Sequence, residues 1–291
     1  MDQNKGIIFV LISALLWGFS PIFIKLVVDT ISPVFITFVR YGIASIIMLP
    51  FIFINKKEVL KLNKKDVGLV LLLGIIGTSI AATAFQASIE YIGAAVSMFI
   101  LRMEPIFVAV LVLVFLKETI TKRIAASIAL AFLGSLLVSF QSVPVLSFTN
   151  MLLIGFLLAI SAAILWAFAT ILGKQLVNKL SPINLVALRS VIAFLFISVF
   201  VYGSINESIA IMTYSDWIFL LLLGIFSTSV AYICFYKGLK VLSASKTVII
   251  TLLSPIVTLI FSYIIMGEIF TIMQLIGGFL ILYAIYNVSK K

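Results

Sequence analysis

Residues 93–116 read GAAVSMFILRMEPIFVAVLVLVFL, an apolar run of 24 residues interrupted near its centre by Arg102, Met103, Glu104 and Pro105. As a helix rising about 1.5 Å per residue, the run reaches roughly 36 Å, enough to cross a hydrocarbon core of about 30 Å with some tilt. Glu104 then lies near mid-bilayer. A carboxylate at that depth is costly unless it is neutralised, paired or hydrated, so Glu104 points to a polar cavity. Pro105 sharpens the inference: proline removes a backbone donor and frees a carbonyl one turn earlier. In a membrane such unpaired backbone is tolerated only inside protein or beside water.

The whole chain has the same character. It is 64% hydrophobic and 10% charged, against roughly 25% charged residues in an ordinary soluble domain. This predicts an all-α polytopic membrane protein. There is no His, and the one Cys, Cys234, sits inside an apolar run. A His-based metal site, a disulfide framework and His-dependent catalysis are therefore excluded, and no cofactor is called for. The net charge of +10 does not indicate nucleic acid, because the basic residues sit in short stretches between apolar runs, as membrane topology requires.

Ten apolar segments follow one another, at 6–28, 34–54, 67–89, 93–116, 124–141, 151–177, 183–203, 217–236, 243–266 and 271–288. With the N-terminus inside, the cytoplasmic stretches contain 16 of the 20 basic residues, among them Lys56, Lys57, Lys61, Lys64 and Lys65. The other side has Lys25 at a helix end with Asp29, Glu90, Glu207, Asp216 and Glu268. This bias predicts a multi-pass protein of the cell membrane with both termini cytoplasmic. The first segment lacks a small-residue cleavage site and is read as a permanent helix.

The two halves repeat each other. Residues 17–40 align without gaps on 166–189 with 8 identities in 24 positions, matching Trp17 with Trp166, Lys25 with Lys174, Ser32-Pro33 with Ser181-Pro182 and Arg40 with Arg189. Residues 66–118 align on 216–268 with 15 identities in 53, including Gly74/Gly224, Thr78-Ser79/Thr228-Ser229, Pro105/Pro255 and Glu118/Glu268. Each half, 1–145 and 146–291, has five spans. An odd number makes the copies enter the membrane from opposite sides, as two inverted five-helix repeats.

On these residues the chain resembles the drug/metabolite transporter superfamily, specifically its EamA-type ten-helix members. The resemblance rests on Trp17-Gly18-Phe19-Ser20, on Glu104-Pro105, and on the endings Lys117-Glu118 and Gly267-Glu268. It implies a central cavity from the first, third, fourth, sixth, eighth and ninth segments, with the fifth and tenth peripheral. Similar proteins export amino acids, nucleobases, drugs and assorted metabolites. Ser254 stands at the position of Glu104 in the second copy, which confines carboxylate chemistry at this level to the first half.

Segment midpoints place Trp17, Thr78, Ser79, Glu104, Trp166, Thr228, Ser229 and Ser254 in one layer, the candidate substrate-binding set. Tryptophan normally gathers at membrane interfaces, so a mid-depth pair argues for packing around a cavity, with plain helix packing as the alternative. Small hydroxyl residues are equally at home as glue between helices. Two helical residues apart is about 200°, so a cavity-facing Glu104 turns Arg102 toward a neighbouring helix or the outer interface. Arg40 and Arg189 lie about 9 Å into their segments, within snorkelling range, with Lys25 and Lys174 at the opposite ends. These four are interfacial anchors or, alternatively, a symmetric set of cationic gates. Pro105 and Pro255 interrupt their segments as hinges.

The function expected is secondary-active export of small polar or amphipathic metabolites, such as amino acids or related compounds, by alternating access. Protons are the expected coupling ion, through Glu104, and the protein acts as a monomer or homodimer. A lipid or lipid-phosphate translocator is the alternative within transport. A membrane-embedded enzyme is the alternative outside it, and it lacks a nucleophile or metal paired with a base.

Overall fold

The computed structural model describes residues 2–28, 30–139, 150–266 and 271–290. Asp29, Gly267, Glu268, Lys291 and the stretch 140–149, where several expectations fall, lie outside them. The regular secondary structure is all helical among the described residues. The long helices are α1 (Gln3–Val28), α2 (Pro33–Ile54), α3 (Lys64–Gly93), α4 (Val96–Leu116), α5 (Lys122–Ser139), α6 (Met151–Leu176), α7 (Pro182–Val201), α8 (Tyr214–Val241), α9 (Ala244–Phe261) and α10 (Ile272–Ser289). Nine of these are apolar and long enough to cross a membrane. The tenth, α5, has 18 residues and opens on Lys122 and Arg123.

Local chemistry sets the boundaries. Ser32 and Ser181 accept hydrogen bonds from the backbone N–H of Phe35 and Asn184, with Pro33 and Pro182 at the first helical position, where a missing donor costs nothing. Thr213 with Asp216, and Thr271 with Gln274, form capping boxes that start α8 and α10. Gly93 takes φ 77° and turns α3 into α4, a conformation that is cheap only without a Cβ.

The two halves interleave. The first helix of each half packs on the third and fourth helices of the other, α1 on α8 and α9, and α6 on α3 and α4. The second helices, α2 and α7, pack on each other, and so do the fifth, α5 and α10. At the α5–α10 crossing, a Cβ on Gly134 would lie 2.6 Å from the Gly277 carbonyl oxygen, and one on Gly277 would lie 2.5 Å from that of Gly134. Backbone approach this close needs small residues, as membrane helix pairs generally do. The other eight helices are left around the centre.

Candidate functional site

At the centre lies a cavity of about 110 Å³ open to water-sized molecules. Both copies line it with equivalent residues: Trp17 and Trp166, Arg40 and Arg189, Phe85 and Phe235, Leu101 and Thr251, Arg102 and Leu252, Glu104 and Ser254. Ser20, Pro21, Met98, Pro105, Ala169, Thr170, Tyr232 and Tyr236 complete the wall. Of the expected layer, the cavity brings together Trp17, Glu104, Trp166 and Ser254. Thr78, Ser79, Thr228 and Ser229 stand one layer behind it.

The reason is a wide turn at equivalent places in α3 and α8. Ile75–Ile80 and Leu223–Val230 are π-helical, a rare geometry that recurs at functional sites. The extra residue per turn lets the Thr78, Thr228 and Ser229 hydroxyls donate to carbonyls five residues back, at Leu73, Leu223 and Gly224. Each threonine oxygen is thereby aimed at an arginine. Arg189 Nε donates to Thr78 Oγ1 at 2.9 Å, and Arg40 Nε donates to Thr228 Oγ1. The backbone beside them repeats too: a Cβ on Gly74 would meet Ile192, and one on Gly224 would meet Ile43, the side chains three residues beyond Arg189 and Arg40.

Arg40 and Arg189 are not interfacial anchors. They are 6% and 1% exposed and face the cavity. Their direction is set by the threonines of the opposite half, which offer an acceptor that snorkelling would forfeit. Arg40 Nη2 also donates to Ser227 Oγ at 3.1 Å. Arg189 Nη1 donates to the Tyr236 hydroxyl at 2.7 Å, and its guanidinium carbon lies 3.7 Å from the Tyr232 ring centroid. The lysines behave otherwise. Lys174 Nζ donates to the carbonyls of Leu239 and Leu242, capping the end of α8, and Lys25 is exposed.

Arg102 reaches a neighbouring helix, one of its two expected directions, but faces the cavity as well. It lines the cavity with Glu104 and donates from Nη1 to Ser254 Oγ at 3.1 Å. The 200° separation fails because the helix does not run through. Arg102 and Met103 form a turn closed by bonds to Phe99 and Ile100, and a new helix starts at Glu104 with Pro105 in its first turn. In α9 the same joint falls at Leu252 and Leu253, whose N–H groups bond Ile249 and Ile250, before a helix that starts at Ser254-Pro255. Pro105 lines the cavity and Pro255 does not. Glu104 feels the charge of Arg102 and, next to it, the hydroxyl of Thr170.

Aromatic groups fill the remaining wall. Trp17 packs edge-on to Tyr232 with centroids 4.9 Å apart, and its Nε1 donates to the Ser227 carbonyl at 3.0 Å. Trp166 packs on Phe85 at 5.3 Å. Tyr232, Tyr236, Phe85 and Thr170 were missed in the sequence. A signal existed: Tyr232 and Tyr236 lie one turn apart, where the first copy has Ala82 and Gln86.

On one face, outside the membrane-spanning segments, the halves are tied by polar groups. Glu58, on a short helix after α2, accepts from the Ser181 N–H at 2.7 Å and from Asn184 Nδ2 at 2.9 Å. Burial pushes its carboxyl up, but these bonds and the charge of Lys240 outweigh burial and hold it below its ordinary value. Lys179 pairs with Asp66 beside it. At the opposite end the halves meet through an apolar cluster, with Val28, Ile31 and Phe35 packed near Ile205, Met212 and Phe219.

A family model for EamA-like transporters matches the sequence twice, at residues 4–140 and 153–290. The chain belongs to the EamA-like transporter family. An uncharacterized transporter of Archaeoglobus fulgidus is 30% identical over 275 residues, covering 94% of this chain and 95% of that protein. A riboflavin transporter, ImpX, of Fusobacterium nucleatum is 26% identical over 301 residues, covering 100% and 99%. A solved crystal structure at 13% identity superposes with a TM-score of 0.78 over 98% of this chain and 96% of that one, which shows the shared fold. Each match to the EamA-like model contains one cavity tryptophan and one jointed helix, and the cavity arginines are Arg40 and Arg102 in the first match and Arg189 in the second. The protein is a multi-pass membrane transporter.

Proposed function

We propose that this transporter works by secondary-active alternating access, moving small polar or amphipathic metabolites out of the cytoplasm across the cell membrane. The halves 1–145 and 146–291 rock against each other around the central cavity, with both termini cytoplasmic. One observation carries this reading: both halves line a central cavity with equivalent residues, and a half-buried carboxylate, Glu104, sits at one of its two helix joints. Inverted repeats place substrate and coupling-ion sites at such broken helices. Trp17, Trp166, Glu104 and Ser254 contact the substrate. Thr78 and Thr228 position the arginines, and Ser79 and Ser229 pack behind them. The aromatic wall suits a ligand with a flat apolar part, and a relative named for riboflavin transport is consistent with one.

Glu104 is the group through which protons couple to exchange. It faces the cavity beside Thr170, and the Arg102 Nη1 bonds Ser254 rather than Glu104. A proton and a substrate donor can therefore compete for it. Glu104→Gln keeps size and hydrogen bonding but removes titration. The variant should insert, stay monodisperse and melt like the wild type, yet lose transport or its pH dependence in proteoliposomes. Normal transport with an unchanged pH profile would refute the coupling role, and aggregation would mark Glu104 as a structural group.

A further inference from the structure

The charges around the cavity do not balance. Arg40, Arg102 and Arg189, at most 6% exposed, face a lining in which Glu104 is the one acid among the described residues. Arginine stays protonated in proteins, so three cations meet one carboxylate. The side chains that hold them, Thr228, Ser227, Thr78, Tyr236 and Ser254, are neutral. Neutral acceptors satisfy donors but supply no countercharge, and a buried charge without one is expensive. Two positive charges are left over.

Donors are left over as well. Arg189 Nη2 and Arg102 Nε are buried without a hydrogen-bond partner, and so is Trp166 Nε1. All three residues line the cavity. Arg189 is also fixed in place: its Nε and Nη1 are held by Thr78 and Tyr236, and its face lies on Tyr232. A guanidinium held on one edge with a buried donor left unpaired on another is suited to an oxyanion, which accepts charge-assisted bonds from it.

We infer that the substrate carries a net negative charge: a carboxylate or phosphate bound by Arg189 and Arg102, on a flat apolar body that packs against Trp17, Trp166 and Phe235. A cation is disfavoured because it would meet Glu104 only within reach of three like charges. A neutral ring would fill the aromatic wall and leave the unpaired donors and the surplus charge as they are. The inference rests on the cavity being the transport site, and the experiment separates the two.

The full chain, in lipid nanodiscs, is titrated with four ligands of one ring and differing charge: 3-phenylpropionate, phenyl phosphate, 3-phenylpropanol and 3-phenylpropylamine. Binding is read from tryptophan fluorescence. At least one of the two anions should bind tenfold or more tighter than the alcohol, with the amine weakest, and the stronger anion tells carboxylate from phosphate. Arg189→Gln should reduce the preference to less than threefold. Arg102→Gln, which retains a donor for Ser254 and leaves the Thr78 clasp intact, should reduce it too and serves if the first variant fails to fold. Equal or tighter binding of the alcohol or amine, no binding of any ligand, or an unchanged preference in both variants would overturn the inference. Counterflow of the bound anion in proteoliposomes reads transport separately. Anion binding without counterflow would refute the transport reading and leave the charge assignment standing. Counterflow of the alcohol at the anion's rate would do the reverse.

Discussion

Thr78 and Thr228 show how much one hydroxyl can decide. Each receives an arginine Nε from a helix of the other half and donates its own proton to a carbonyl five residues back. Thr78→Val keeps the shape and removes the acceptor, stranding a charged donor in the interior. That should cost about 1–3 kcal/mol, seen as a lower melting temperature in detergent, with Thr228→Val showing the same sign. Melting at the wild-type temperature in both would mean that the arginines are held by something else. The sequence marked these threonines by their repetition and marked Arg40 and Arg189 by their depth. It did not join them, because depth along a helix axis says nothing about direction around it, and the π-helical turn that aims Thr78 has no spacing signature. Tyr232 and Tyr236 were hidden for a related reason: an aromatic in an apolar run reads the same whether it faces lipid or cavity.

Among elements, α4 and α9 are distinguished by their joints. Both tighten into i to i−3 bonds just before a Glu-Pro or Ser-Pro pair, so the donors of Arg102, Met103, Leu252 and Leu253 find carbonyls without a continuous α-helix. Proline at 105 and 255 keeps the next turn from reaching back across the joint. Pro33, by contrast, starts α2 behind the Ser32 cap. Pro105→Ala and Pro255→Ala should leave expression near normal and slow transport several-fold, while Pro33→Ala is mild. Equal rates in all three variants would remove the hinge role. The interruption was legible in residues 93–116, since Arg-Met-Glu-Pro breaks an apolar run. Its effect on Arg102 was not: angular arithmetic assumes one unbroken helix, and the turn at 102–103 turns that side chain inward.

At the scale of the molecule, orientation is the property still to be measured. The structure gathers the lysine-bearing stretches on one face, where Asp66 meets Lys179, Lys174 caps α8, and Glu58 lies within the field of Lys240. A reporter inserted between Lys56 and Lys65 should read cytoplasm, and an external signal there would invert the assignment, because those lysines carry much of the bias. The repeat and its ten segments could be read in advance, since duplication leaves identities in register: Trp17 with Trp166, Thr78 with Thr228. The interleaving could not, because identity between copies does not reveal which copy a helix packs against. That interleaving has a consequence in time. Arg40 leaves the ribosome 188 residues ahead of Thr228, roughly 10–40 s at a synthesis rate of about 5–20 residues per second. Throughout that interval its charge must be accommodated by water, lipid headgroups or the insertion machinery. The first half therefore enters the bilayer as an unfinished clasp, and the ribosome, by delivering the eighth helix, closes it.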